Sequence, residues 1–194
     1  MTMKLLALII LLIPVSAFAQ TPKLNIRLAH GYVEEMKKRQ QIERLAEHYD
    51  LSKYTITRDL VIEERAMNHS APVLTLNLMF LDDDDRALGV YVHEQAHWVL
   101  MTRHRNQSRE MLDELTRLYP NIKIDPPHGD GNRATSYLHL PVIMLEWQAL
   151  ENLLGVTRAR AVMKRANHYT DLFATVIDHR PQMEDFLKRY DVKW

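Results

Sequence analysis

The chain predicts an α+β domain, mostly helical, with a small sheet near its N-terminus. Three observations carry this. Period-two apolar alternation is confined to residues before about 80, helical periodicity dominates from about residue 84 onward, and 194 residues suffice for one core but not two ordinary ones.

Near its start the chain has Lys4, an uncharged apolar run from Leu5 to Ile13, Pro14 and then Ala17-Phe18-Ala19, the pattern of a signal peptide cleaved after Ala19. The expected organisation is therefore a signal segment at 1–19 and a single domain at 20–194, exported to the periplasm or secreted. No stable membrane anchor is expected after cleavage, because the apolar run is short and no later stretch reaches 18 uncharged apolar residues. The sequence has no cysteine, which excludes disulfides, thiolate ligands and a lipidated cysteine. Removing Lys4 leaves 24 of the 25 basic residues against 25 acidic ones, a balance that offers no footprint for nucleic acid.

Residues 24–28 alternate and predict a strand, Gly31 a turn, and 32–49 a helix with Val33, Met36, Ile42, Leu45 and Tyr49 on one side. Strands are expected at 54–63 and 73–80, separated by a turn at 68–72. Asp82 to Asp85 read as a solvated turn and helix cap, since they lack the alternating ligand spacing of a calcium loop. A helix should run from near Asp84 to about Arg105, and another from Ser108 to Tyr119, ended by Pro120. Residues 125–135, with two prolines and two glycines, predict a surface loop at the lip of a cleft. Pro141 fits the first turn of a helix reaching Leu154, with Gly155 just past its end. Shorter helices are expected at 157–167, 170–179 and 181–190.

The segment His93-Glu94-Gln95-Ala96-His97 carries the chemistry. Four helical residues sweep about 400° and rise about 6 Å, so both imidazoles face the same way and can converge on one zinc ion. Glu94, about 100° from His93, is offset from the ion and suited to take a proton from the water that zinc activates. A catalytic zinc needs a third protein ligand and an open position. The candidates are His104, His139, Glu146, Glu151, His168 and His179. His104 is seven residues beyond His97, about 10.5 Å along the axis, too far to share its ion. Glu146 is the choice, because it lies within an apolar stripe of Val142, Ile143, Leu150 and Leu153, where a carboxylate needs a partner. By the same length argument, His139 and Glu146, seven apart on one regular helix, cannot both touch the ion. His139, His168 and Tyr169 are candidates to stabilise an oxyanion, whereas His69 and the remaining histidines carry no signal. Trp98 should be core.

The HEQAH helix followed by Glu146 resembles the zincin metallopeptidases, and the glutamate ligand resembles their gluzincin subgroup. The stretches His93–Trp98 and Tyr137–Glu146 also resemble the HEQxHW and YLHLxVxxLE motifs of small bacterial proteins of uncharacterised function. The resemblance implies a zincin-like fold with the small sheet packed on the HExxH helix. It implies a Zn2+-dependent peptidase acting on a peptide or protein substrate, with His93, His97 and Glu146 holding zinc and Glu94 as general base. It further implies that the strand at 73–80 pairs with an extended substrate through its backbone; separately, a chain this short offers no second large lobe to wall a deep cleft, so specificity is expected to rest on the loop at 120–136. The alternative is a zinc-stabilised structural or binding protein of the cell envelope. The chain departs from the gluzincin pattern at Leu150, where that group has an aspartate orienting the first histidine, so the partner of His93 is left open.

Overall fold

The computed structural model describes residues 23–194; the expected signal segment at 1–19 lies outside them. Three short strands form one parallel sheet in the order β1 (Asn25–Leu28), β2 (Asp59–Ile62), β3 (Leu74–Leu76). Asn25 pairs with Asp59, and Leu60 with Leu74. Helix α1 (Val33–His48) makes the crossover between β1 and β2, as parallel pairing requires. It is followed by α2 (Asp84–Arg103), α3 (Ser108–Leu118), α4 (Arg133–Leu154), α5 (Val156–Lys164), α6 (Thr170–Asp178) and α7 (Arg180–Arg189). The described residues are thus mostly helical, with a small parallel sheet. None of their helices is long and apolar enough to cross a membrane.

Helix α4 is the hub. It packs on α2, α3, α5, α6 and α7, and fourteen of its residues are buried. It begins two turns earlier than Pro141 suggested, because the Asn132 side chain accepts from the Thr135 amide and starts the helix there. Pro141 then sits inside the helix at the loss of one ladder bond, which surrounding packing tolerates. Gly155, at φ +79°, ends it as expected.

The strands are shorter than their alternation implied. The amides of Ile56 and Thr57 bond to the Gln95 side chain on α2, 2.8 and 3.0 Å away, instead of to a neighbouring strand. Beyond Leu76, the amides of Asn77 and Met79 are taken by the side chains of Asn68 and Asn77. Lys38 and Gln41, both buried on α1, then collect the carbonyls of Met79, Phe80 and Leu81. That clamp sets where α2 begins. The aspartates behave as a turn: Asp83 caps α2 by accepting from the Arg86 amide, and Asp84 and Asp85 bond Arg44 and Arg158.

Candidate metal centre

Helix α2 runs through the core with His93 and Glu94 buried and His97 partly exposed. The crossing of α4 over α2 brings in a third imidazole, His139. One ligand atom from each of His93, His97 and His139 lies within 4.8 Å of the others. The His97 ring centroid is 5.0 Å from that of His93 and 4.7 Å from that of His139.

Hydrogen bonds orient two of the three rings. Nδ1–H of His93 donates to Glu146 Oε2 at 2.8 Å, and Nδ1–H of His139 donates to the Thr135 carbonyl at 2.8 Å. With Nδ1–H committed to these acceptors, each ring in its neutral form keeps its Nε2 lone pair for the cluster. Burial, followed by the neighbouring imidazoles, depresses His97 well below the usual histidine range. Burial, then the charge of His93, pushes His139 down to about 4. These rings stay neutral at ordinary pH, the form in which an imidazole binds a cation. Burial also disfavours charge on His93, but the hydrogen bond and charge of Glu146, with the charge of Glu94, outweigh it and raise its pKa. Burial raises the Glu94 carboxyl.

Glu146, expected as the third zinc ligand, is not among the three clustered residues but is bonded to one of them. The argument that a carboxylate in that apolar stripe needs a partner holds, and the partner is Nδ1 of His93, on the side of the ring away from its Nε2. His139, two turns earlier on α4, faces the cluster instead. The helical rise that forbids both residues from touching one ion is what separates the two roles. Gly89, one turn before His93, makes room for the carboxylate: a Cβ there would lie 3.3 Å from Glu146 Oε1.

Tyr169 lies against the cluster, its ring 4.5 Å from His139 and 6.4 Å from His93. Its backbone is left-handed at φ +54°, and its hydroxyl donates to Asp130 Oδ1 at 3.2 Å. Asp130 is fixed in turn by buried Ser136, whose Oγ accepts from the Asp130 amide. The loop that carries Asp130 docks on the start of α6 through Thr170 N to Pro127 O and Asp171 N to His128 O. His168 is exposed and is not among the clustered imidazoles. The other candidates sit elsewhere: His104 bonds Gln107, Glu151 bonds Arg180, and His179 packs against Tyr119.

The outward edge of β3 is not free for an extended substrate. Thr75 N and O both bond the backbone of His69, in an antiparallel bridge. Trp98, partly buried and packed against the core as expected, donates its indole N–H to the Ser70 carbonyl at 2.9 Å and holds that segment against α2. Clefts of about 390 Å³ beside α1 and about 280 Å³ between α6 and residues 118–122 lie away from the imidazoles. No family model, curated protein or solved structure matches this chain.

Sequence reasoning missed Gly89 and Asp130. Only the spacing of Gly89 four residues before His93, on the ligand face, was a readable signal.

Proposed function

We propose that the chain is a zinc-dependent hydrolase of amide bonds, a peptidase in the zincin manner, working on a peptide or protein substrate after export. The observation that carries the reading is the buried carboxylate of Glu94 beside three imidazoles whose ring orientations favour a shared cation. His93, His97 and His139 would hold the ion, and Glu146 would orient His93. This donor set of imidazole nitrogens suits zinc, and fewer than four protein ligands leaves a position for substrate. Zinc, when bound, polarises the substrate carbonyl and makes water a nucleophile near neutral pH. Glu94 accepts the proton that water gives up and returns it to the leaving nitrogen. Its raised pKa brings its proton affinity closer to neutrality, which helps a group that must take and give one proton per turnover.

Metal analysis with the Glu94→Gln variant tests this. The expected result is about one zinc per chain in both proteins and zinc-dependent cleavage of a mixed peptide library by the parent alone. Loss of zinc in Glu94→Gln, or equal cleavage by both, would overturn it.

A second reading, a structural zinc site in an envelope protein, is favoured by one observation: the Tyr169 ring packs against that of His139 and its hydroxyl is committed to Asp130. Zinc bound at full stoichiometry with no hydrolysis and no binding of metal-directed inhibitors would decide for it.

A further inference from the structure

His139 is the member of the imidazole cluster that α2 does not supply. Four residues of one helix set the relation of His93 to His97, whereas His139 arrives on α4 and its ring must be aimed separately. A hydrogen bond from Nδ1–H to the Thr135 carbonyl, 2.8 Å long, ties that ring to its own helix. A bond at one ring atom leaves the plane of the ring free to tilt about it.

Tyr169 lies where it opposes that tilt. Its ring centroid is 4.5 Å from that of His139, with the planes inclined at 43°, and its hydroxyl donates to Asp130 Oδ1 at 3.2 Å. Asp130 is itself fastened to α4, since its amide donates at 2.9 Å to Oγ of Ser136, a fully buried residue. The path from Ser136 through Asp130 and Tyr169 to His139 thus leaves α4 and returns to it three residues further on. Such a closed path acts as a strut.

The backbone is constrained to keep the phenol there. Tyr169 is left-handed at φ +54°, a conformation that a bulky L-residue holds only where its surroundings over-determine it. Those surroundings are present: Thr170 N donates to Pro127 O at 3.0 Å, Asp171 N to His128 O at 3.3 Å, and His128 Nδ1 lies 2.9 Å from Thr170 Oγ1. The loop is also closed on itself. Gly131 N donates to Ile124 O, and a Cβ on Gly129 would come within 2.6 Å of the Ile124 backbone.

We infer that Tyr169, held by Asp130, is a positioning residue for His139, bearing on the ring so that its Nε2 faces the cation shared with His93 and His97. This differs from the oxyanion donor expected of Tyr169, because the hydroxyl is already given to Asp130. The role rests on the zinc centre proposed above and is the same whether that centre is catalytic or structural.

Zinc affinities from chelator competition test it on four proteins: the parent, Tyr169→Ala, His139→Ala and the double variant. Tyr169→Ala should bind zinc roughly tenfold more weakly than the parent, the lower end of what loss of an outer partner costs a metal site. In the His139→Ala background the same substitution should change nothing, since the ring it positions is gone. A merely structural role would lower affinity by the same factor in both backgrounds, and that result overturns the proposal. So would an unchanged affinity in Tyr169→Ala. Asp130→Ala spares the aromatic packing should the larger truncation prevent folding; it should follow the same pattern with a smaller loss, and Asp130→Asn, which retains an acceptor oxygen, should recover most of it. Absence of zinc from the parent would instead overturn the metal reading on which the proposal rests.

Discussion

Glu146 and His139 sit seven residues apart on one helix and have opposite places at the cluster, so replacing each should separate their roles by the size of the effect on zinc affinity. Glu146→Gln keeps the side-chain volume over Gly89 and retains an oxygen to accept from His93 Nδ1, but removes the charge. Loss of such an outer partner costs roughly 10–100-fold in metal affinity. His139→Ala removes a nitrogen donor outright. Zinc held by four ligands at apparent energies of roughly 10–16 kcal/mol gives about 3 kcal/mol for one ligand, more than two orders of magnitude. Competition against a chromophoric chelator at fixed pH would measure both variants beside the parent. The expected order is parent tightest, Glu146→Gln intermediate and His139→Ala weakest. A larger loss in Glu146→Gln than in His139→Ala would refute the geometry argued above and make the carboxylate the ligand.

Gly89→Ala should lower zinc affinity while leaving the helix intact, because the added Cβ meets Glu146 Oε1 and Val162 Cγ1 at 3.3 Å and pushes the carboxylate off His93, although alanine favours the helix by about 1 kcal/mol; chelator competition and thermal melting together check this. Glu35 is fully buried, and although burial opposes its charge, the backbone amides of His30, Gly31, Glu64 and Tyr32 hold its pKa below the usual 4.5. Its folded pKa being depressed, this stabilisation is present above about pH 4.5 and is lost as pH falls through the folded value. Glu35→Gln should thus melt well below the parent at pH 7, with the gap narrowing at pH 3.5; a constant gap would refute it. Trp98→Phe should loosen the segment around His69, seen as faster amide exchange at His69 and Thr75, without changing zinc content.

Much of the helical architecture was legible because its punctuation is local. Asp83 caps α2, Pro120 follows α3 and Gly155 closes α4, each for reasons confined to a few residues. The start of α4 was not legible: Pro141 invites the first-turn reading, and only the Asn132 cap on Thr135 overrules it. Strand length was misread for a related reason. Alternation at 54–63 and 73–80 reports only which side chains turn inward, whereas the ladder ends where Gln95, Asn68 and Asn77 intercept the amides. At the site, the HExxH spacing fixed the relation of His93, Glu94 and His97 because all three share one helix. The third imidazole depends on how α4 crosses α2, which no spacing within α4 encodes. The need of Glu146 for a partner was readable from its apolar surroundings, but not the partner itself.

The clustered imidazoles come from two helices that pack on each other through buried apolar residues, including Leu88, Val92 and Ala96 on α2 and Val142, Ile143 and Leu150 on α4. Their convergence thus rests on apolar packing between two helices, whereas in a zinc finger the ion organises the chain. Under the zinc reading proposed above, such a protein would finish folding before it met a cation and would surrender one without collapsing. Supply of the ion, rather than synthesis of the chain, would then set how many molecules are competent at any moment.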